Sequence, residues 1–218
     1  MKIIPMILSE ETTTLLWKQA RKTRITIKNI FDAALLMVIH KHLYNKTLMP
    51  LRFFTFADLR PFMKPPLSAS IIGSYFSTLR FITNMSKTQS LTDLARLIQK
   101  QVYTSLKRGD KFAAHLQSPG MIKAMLRFKS FRMGNTAVSY IGQINIKPSY
   151  GNIKINHIHV FSSNFVLGPE YTAQIRLFKD RFYWDILYLD SDMDEDKAKI
   201  IADEIKEVLK KFCSGENP

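Results

Sequence analysis

The 218-residue sequence contains one cysteine, Cys213, so no internal disulfide can form and a disulfide scaffold is excluded. Cys213 follows Phe212, the last apolar residue expected in the core, and no histidine stands within sequence reach. A terminal free thiol is expected there rather than a nucleophile. Long apolar runs are also lacking. The longest, Ala33 to Ile39, has seven residues, against the ~20 needed to span a bilayer. The apolar stretch at the start, from Ile3 to Leu8, is too short for a secretory leader, holds Pro5, and runs into Glu10 and Glu11. A soluble, cytoplasmic chain is therefore expected. Eight Gly and nine Pro beside plentiful Leu, Ile and Phe exclude collagen-like, low-complexity and disordered classes.

Acids are scarce: 18 Asp and Glu stand against 32 Lys and Arg, for a net charge of +14. The balance is uneven. From Asp190 to Pro218 nine acids outnumber five bases, whereas residues 1–189 hold 27 bases against nine acids. Such a body either favours anionic partners or keeps the protein in solution. Its bases are scattered singly, apart from Lys18, Arg21, Lys22, Arg24 and Lys28. These span the expected end of one helix and the start of the next, and cations near a helix C-terminus are ordinary dipole partners.

The patterning predicts a helix capped by Ser9 and running to about Lys22. A strongly apolar helix follows from Thr26 to near Tyr44, with Ile27, Ile30, Phe31, Ala34, Leu35, Val38 and Ile39 on a wide buried arc. Leu51–Ala57 reads as a strand and Arg60–Pro66 as a loop. Ile71–Phe81 reads as a second strand, interrupted by Gly73. Ser90 and Asp93 resemble a capping box ahead of a long helix that stops at Gly109. Residues 111–129 read as further helix broken at Pro119-Gly120. Ala137–Ile146 and Ile153–Phe161 read as strands, and Tyr171–Leu189 as a hairpin turning at Lys179-Asp180, with one wet face. Asp194 caps a last helix. The result is a single α/β (α+β) domain over residues 1–218, a mixed, largely antiparallel sheet with helices packed on it.

Chemistry-bearing motifs are few. His40 and His42 point apart on a helix. His157 and His159 share a face if they lie in a strand, but nothing nearby supplies a third metal ligand. The acids from Asp190 to Asp196 lack a calcium loop's central Gly and bidentate Glu, which leaves a cap and a solvated turn. No nucleophile elbow, P-loop, dinucleotide fingerprint or H-E-x-x-H occurs. Aromatic residues alternate with bases at Arg52–Phe54, Arg127–Arg132 and Lys179–Trp184. That mixture can stack on and neutralise nucleic acid, but no recognition signature accompanies it, so nucleic acid is the minor reading.

Several short stretches, in order, resemble the C-terminal half of the CoA-dependent acyltransferase and condensation-domain superfamily, which includes chloramphenicol acetyltransferase. Leu8–Arg21 resembles its opening helix, and Ile25–Ala34 its "gvTvndvllAA" helix. Ala57-Asp58-Leu59-Arg60-Pro61 resembles "vdlRp". Ile72-Gly73-Ser74-Tyr75-Phe76-Ser77 resembles "lGNyfs", with Ser74 in place of Asn. Ser139-Tyr140-Ile141-Gly142 resembles "sNlG", with Tyr140 in place of Asn, and Phe182–Phe212 matches the closing strand and helix. The resemblance implies a chloramphenicol acetyltransferase-like half-domain. Asp58, Arg60, Gly73, Tyr75, Ser139 and Gly142 become candidates for the substrate tunnel or its structural support.

The same resemblance limits the mechanism. The family's H-H-x-x-x-D-G motif, whose second His acts as general base, is absent, as is D-F-G-W-G. Where single-half members place their histidine, this chain reads Leu187-Tyr188-Leu189-Asp190-Ser191-Asp192. No catalytic residue and no metal ligand is assigned, no tightly bound cofactor is expected, and the chain alone is expected to be inactive. The first reading is a non-catalytic half that walls the tunnel for an acyl-CoA or carrier-bound thioester and needs a missing N-terminal half. The second is a basic module that binds nucleic acid or an acidic carrier protein.

Overall fold

Four side chains foreseen as helix caps make the hydrogen bonds that such caps exist to make. Ser9 Oγ accepts from the Thr12 amide at 3.1 Å and opens α1 (Glu10–Thr23). Thr26 Oγ1 accepts from Asn29 and opens α2 (Ile27–Ile39), which passes into a π-helical turn at His40–Tyr44. Ser90 Oγ accepts from Asp93 at 3.1 Å and opens α3 (Leu91–Arg108), closed by Gly109 at φ 86°. Asp194 accepts from Lys197 at 2.7 Å and opens α5 (Glu195–Ser214). The computed structural model describes residues 1–44, 48–127, 132–162 and 168–216.

The main sheet has the strands β1 (Lys2–Ile7), β2 (Leu48–Asp58), β3 (Phe76–Ser86), β4 (Thr136–Gln143), β7 (Tyr171–Phe178) and β8 (Arg181–Tyr188). Their order is β1-β8-β7-β4-β2-β3. The β4 strand runs parallel to both β7 and β2, and the other pairings are antiparallel. The two-residue strands β5 (Ser149–Tyr150) and β6 (Ile153–Lys154) form a separate ladder. This is the expected mixed sheet with helices on it.

The core lies between the sheet and α1, α2, α3 and α5. All of α2 except Lys28 and Met37 is buried, as its wide apolar arc demands. Its one buried acid, Asp32, takes Lys28 Nζ at 2.6 Å one turn back. Burial pushes the Asp32 carboxyl above its ordinary range, and Lys28 opposes that rise. A single α3 side chain, Gln99, locks the α1–α2 corner. Its Oε1 accepts from the Thr26 amide at 2.8 Å, and its Nε2 donates to the Arg24 carbonyl at 3.0 Å.

Residues 2–7, for which the sequence suggested no element, form a strand against β8; Pro5 is admitted because β1 is at the sheet edge, where a missing donor costs least. Four expectations need correction. The strand expected from Ile71 starts at Phe76 instead, the residues before it being held in a loop. The helix expected to break at Pro119 continues as α4 (Asp110–Met125), losing one amide donor there without ending. The strand expected over Ile153–Phe161 is only Ile153–Lys154, and residues 155–162 carry no strand ladder. Finally, the β7–β8 hairpin turns at Lys179 and Asp180, both at positive φ, but it has no wet face: Arg176 and Asp185 are 0% exposed.

Candidate functional site

The two parallel strands β2 and β4 share only two rows, Phe53 with Thr136 and Phe54 with Ala137. Each then continues on another partner, β2 with β3 as far as Asp58 and β4 with β7 as far as Gln143. The sheet is therefore parted at the carboxyl ends of its parallel strands, the end at which α/β sheets commonly place a ligand crevice. All six candidate residues sit on this side.

Four of them are built into one cluster. The Asp58 carboxylate accepts from the Arg60 amide at 3.0 Å and pairs with its guanidinium at 3.2 Å. The same guanidinium reaches across the loop to the Ile71 carbonyl at 3.3 Å and the Gly73 carbonyl at 3.4 Å, and lies 5.2 Å from the Tyr75 ring centroid. The Leu59 amide donates to Tyr75 O at 2.7 Å, closing the loop at its base. A Cβ at Gly73 would come 2.5 Å from the Tyr75 ring, so the ring would have to turn aside. Ser139 and Gly142 lie apart from this cluster, on β4. Register shifts between Tyr140 and Gly142, and Gly142 holds φ +87° at that bulge, a geometry that suits glycine.

A second device pins the loop from outside. Lys111, only 6% exposed, donates to the Leu106 carbonyl at 3.0 Å and lies 4.1 Å and 4.8 Å from the Phe62 and Phe112 ring centroids. It therefore ties the 3-10 turn Arg60–Phe62 to α4. The sequence carried no signal for this cage, since its two aromatics come from separate segments.

An ionic network on β7 and β8 carries no sequence motif. Arg176 and Asp185 form an ion pair on the sheet face opposite the one that carries the core residues Ile175, Trp184 and Ile186. The Asp185 carboxylate also takes His159 Nδ1 at 2.7 Å and accepts from the Val160 amide at 3.1 Å. The Arg176 guanidinium donates to the carbonyls of Ile158 at 2.7 Å and Gln174 at 3.1 Å. Tyr183 OH adds a bond to the Asn156 carbonyl. Residues 156–160 are thus held across β7 and β8 by buried charge. The hairpin register did contain a clue. It pairs Gln174 with Asp185 and Arg176 with Tyr183, so opposite charges fall on one face as diagonal neighbours.

The histidine pair is resolved by the same network. His157 and His159 have ring centroids 6.3 Å apart, but His159 is committed to Asp185, and no group of three potential metal ligands occurs among the described residues. The basic-aromatic runs also turn inward: Phe53, Phe54, Phe182, Tyr183 and Trp184 are all buried, so their rings are core, not stacking platforms. Phe128 and Phe131, in the run before Arg132, fall outside the described residues.

Cys213 is half-buried against the core, with its thiol 3.8 Å from the Thr12 carbonyl. Burial pushes it up to about 11. Thiolate is the reacting form, so native Cys213 should label at least ~tenfold more slowly near neutral pH than the denatured chain. Timed reaction with a maleimide checks this; equal rates would contradict the burial.

Residues 3–174 match the family described as phthiocerol/phthiodiolone dimycocerosyl transferase C-terminus. The chain belongs to this family. No curated protein sequence matches it. Among solved structures, family membership is accompanied by likeness to trichothecene 15-O-acetyltransferase from Fusarium sporotrichioides, at TM-score 0.76 and 18% identity, over 97% of this chain and 46% of that one. Polyketide synthase associated protein 5 from Mycobacterium tuberculosis is similar at TM-score 0.71 and 14% identity, over 98% and 51%. The condensation domain of the Monacolin K polyketide synthase gives 0.71 and 10%, over 99% and 48%. The chain spans about half the length of each of these neighbours, and at such identities the likeness establishes the fold. Among the described residues no helix is long and apolar enough to cross a membrane.

Proposed function

We propose that this chain is the non-catalytic C-terminal half of an acyltransferase or condensation enzyme, and that the parted end of its sheet walls the tunnel for the acyl donor. The donor class is a thioester, acyl-CoA or carrier-bound, and the acceptor an alcohol or amine. The general base of H-H-x-x-x-D-G belongs to a companion N-terminal half. One observation carries this reading: a family defined as a C-terminus matches most of the chain, and neighbours about twice its length are matched over one half.

In this role the Arg60 cluster and the Lys111 cage are scaffolding. They fix the loop between β2 and β3 at the tunnel mouth, so that the wall is formed before the donor arrives and little ordering cost falls on binding. Ser139 and the Gly142 bulge shape the facing edge of β4. The chain's own residues supply shape and position, and the proton is moved by the other half.

Turnover tests this directly. The isolated chain, given an acyl-CoA and an alcohol or amine, should form no product above the uncatalysed rate. Adding an N-terminal half that carries H-H-x-x-x-D-G should restore product formation. Robust turnover by the chain alone would sink the proposal.

A further inference from the structure

A cavity of about 610 Å³ opens between the end of α2, the end of β3 and α5. It belongs to the other end of the molecule from the Arg60 cluster. Phe76 pairs with Asp58, whereas Met85, which lines this cavity, pairs with Met49. Nine residues of strand separate the two, roughly 30 Å at the usual rise. The volume falls in the range of small-molecule sites.

Its walls divide by chemistry. Met37, Met85 and Val208 provide an apolar part, two of them thioethers that adapt to the shape of an apolar guest. The acids beside them are already matched: Glu204 is taken by Lys41 at 2.6 Å and by His42 at 2.5 Å, and Glu207 by Lys210 at 2.7 Å. Lys87 and Lys211 also line the cavity, and neither meets a carboxylate among the described residues. The Gln89 amide lines it too, and its Oε1 is buried with no donor. That side chain makes no hydrogen bond among the described residues, so it can turn without breaking one.

We propose that this cavity binds a small amphipathic anion, a medium-chain alkyl carboxylate. The alkyl chain lies on Met37, Met85 and Val208. The carboxylate sits between the two uncompensated lysines, and the Gln89 amide donates to it. Neither an apolar guest nor a bare anion satisfies both parts of the wall. The Arg60 cluster takes no part, so this site stands or falls independently of the acyl-transfer reading.

The experiment is a titration of the full chain, carrying ¹³C-methyl methionine, with octanoate followed by NMR. The Met37 and Met85 methyl signals, identified with Met37→Leu and Met85→Leu, should shift saturably while distant methionines do not. Octanol and inorganic phosphate should each bind at least ~tenfold more weakly, about 1.4 kcal/mol. The double variant Lys87→Gln/Lys211→Gln, altered at solvent-facing ammonium groups, should unfold at an unchanged temperature yet lose at least ~tenfold in octanoate affinity. Absence of a saturable shift at Met37 and Met85 would overturn the site. So would octanol binding as tightly as octanoate, or full affinity in the double variant.

Discussion

Replacing Asp185 with alanine should cost about 3–5 kcal/mol of folding stability, the penalty for leaving a buried charge without its partner. Arg176 is 0% exposed, and its remaining contacts, the carbonyls of Ile158 and Gln174, His159 Nδ1 and the Tyr183 ring, carry no full negative charge. The loss is large against the 5–15 kcal/mol that holds a typical domain together. Arg176→Met should also destabilise, but by less, because His159 and the Val160 amide remain on the Asp185 carboxylate. The double variant Arg176→Met/Asp185→Leu should lose less than either single change. It removes both charges and fills the space with apolar atoms, and such replacements are often neutral. Denaturant unfolding measures all three midpoints. An Asp185→Ala loss within about 1 kcal/mol would show that the pair is not enclosed as described.

Residues 156–160, a strap across β7 and β8, must also respond. Asp185 holds His159 and the Val160 amide, so even the well-packed double variant should speed amide exchange at residues 156–160. Stability restored with the strap still loosened is the signature of charge acting on that segment.

Phe31→Ala should cost about 3–5 kcal/mol, the usual loss for a buried aromatic. Phe31 is fully buried at the middle of α2 and meets the edges or faces of Tyr140, Phe182 and Trp184 at centroid distances of 6.2, 5.1 and 5.0 Å. It thereby joins the central helix to two strands of the sheet, β4 and β8. Phe31→Leu keeps much of the volume and should cost under about 1.5 kcal/mol. A thermal or denaturant midpoint separates the two; equal losses would contradict this, because they would mean that the retained bulk of Leu replaces none of the ring's contribution.

What was legible in the residues was what local chemistry decides. Ser9, Thr26, Ser90 and Asp194 cap helices because a short oxygen-bearing side chain satisfies an amide within its own turn, and Gly109 stops α3 because it accepts the left-handed conformation. The hairpin turn at Lys179-Asp180 was equally local. Errors arose where a distant partner decides. A strand containing Pro5 is admissible only because β8 offers an edge. The hairpin alternation implied solvent on one face, but residues 156–160 cover that face and pair its charges. Residues 155–162 have the composition of a strand without a neighbour to complete a ladder.

The candidate site residues came from a different kind of signal. No spacing of acids, histidines or glycines marked Asp58, Arg60, Gly73 and Tyr75. Family resemblance singled them out, and their hydrogen bonds then proved to be mutual. Lys111 and its two aromatic neighbours, and the Arg176–Asp185–His159 network, had neither motif nor resemblance to announce them.

Amide hydrogen exchange of this chain, alone and bound to an N-terminal half carrying H-H-x-x-x-D-G, tests the central claim most directly. The account predicts protection on binding at residues 58–76 and 139–143, the parted end of the sheet, with α1 and α5 unchanged. Protection confined to α1 and α5, or none anywhere, would contradict it.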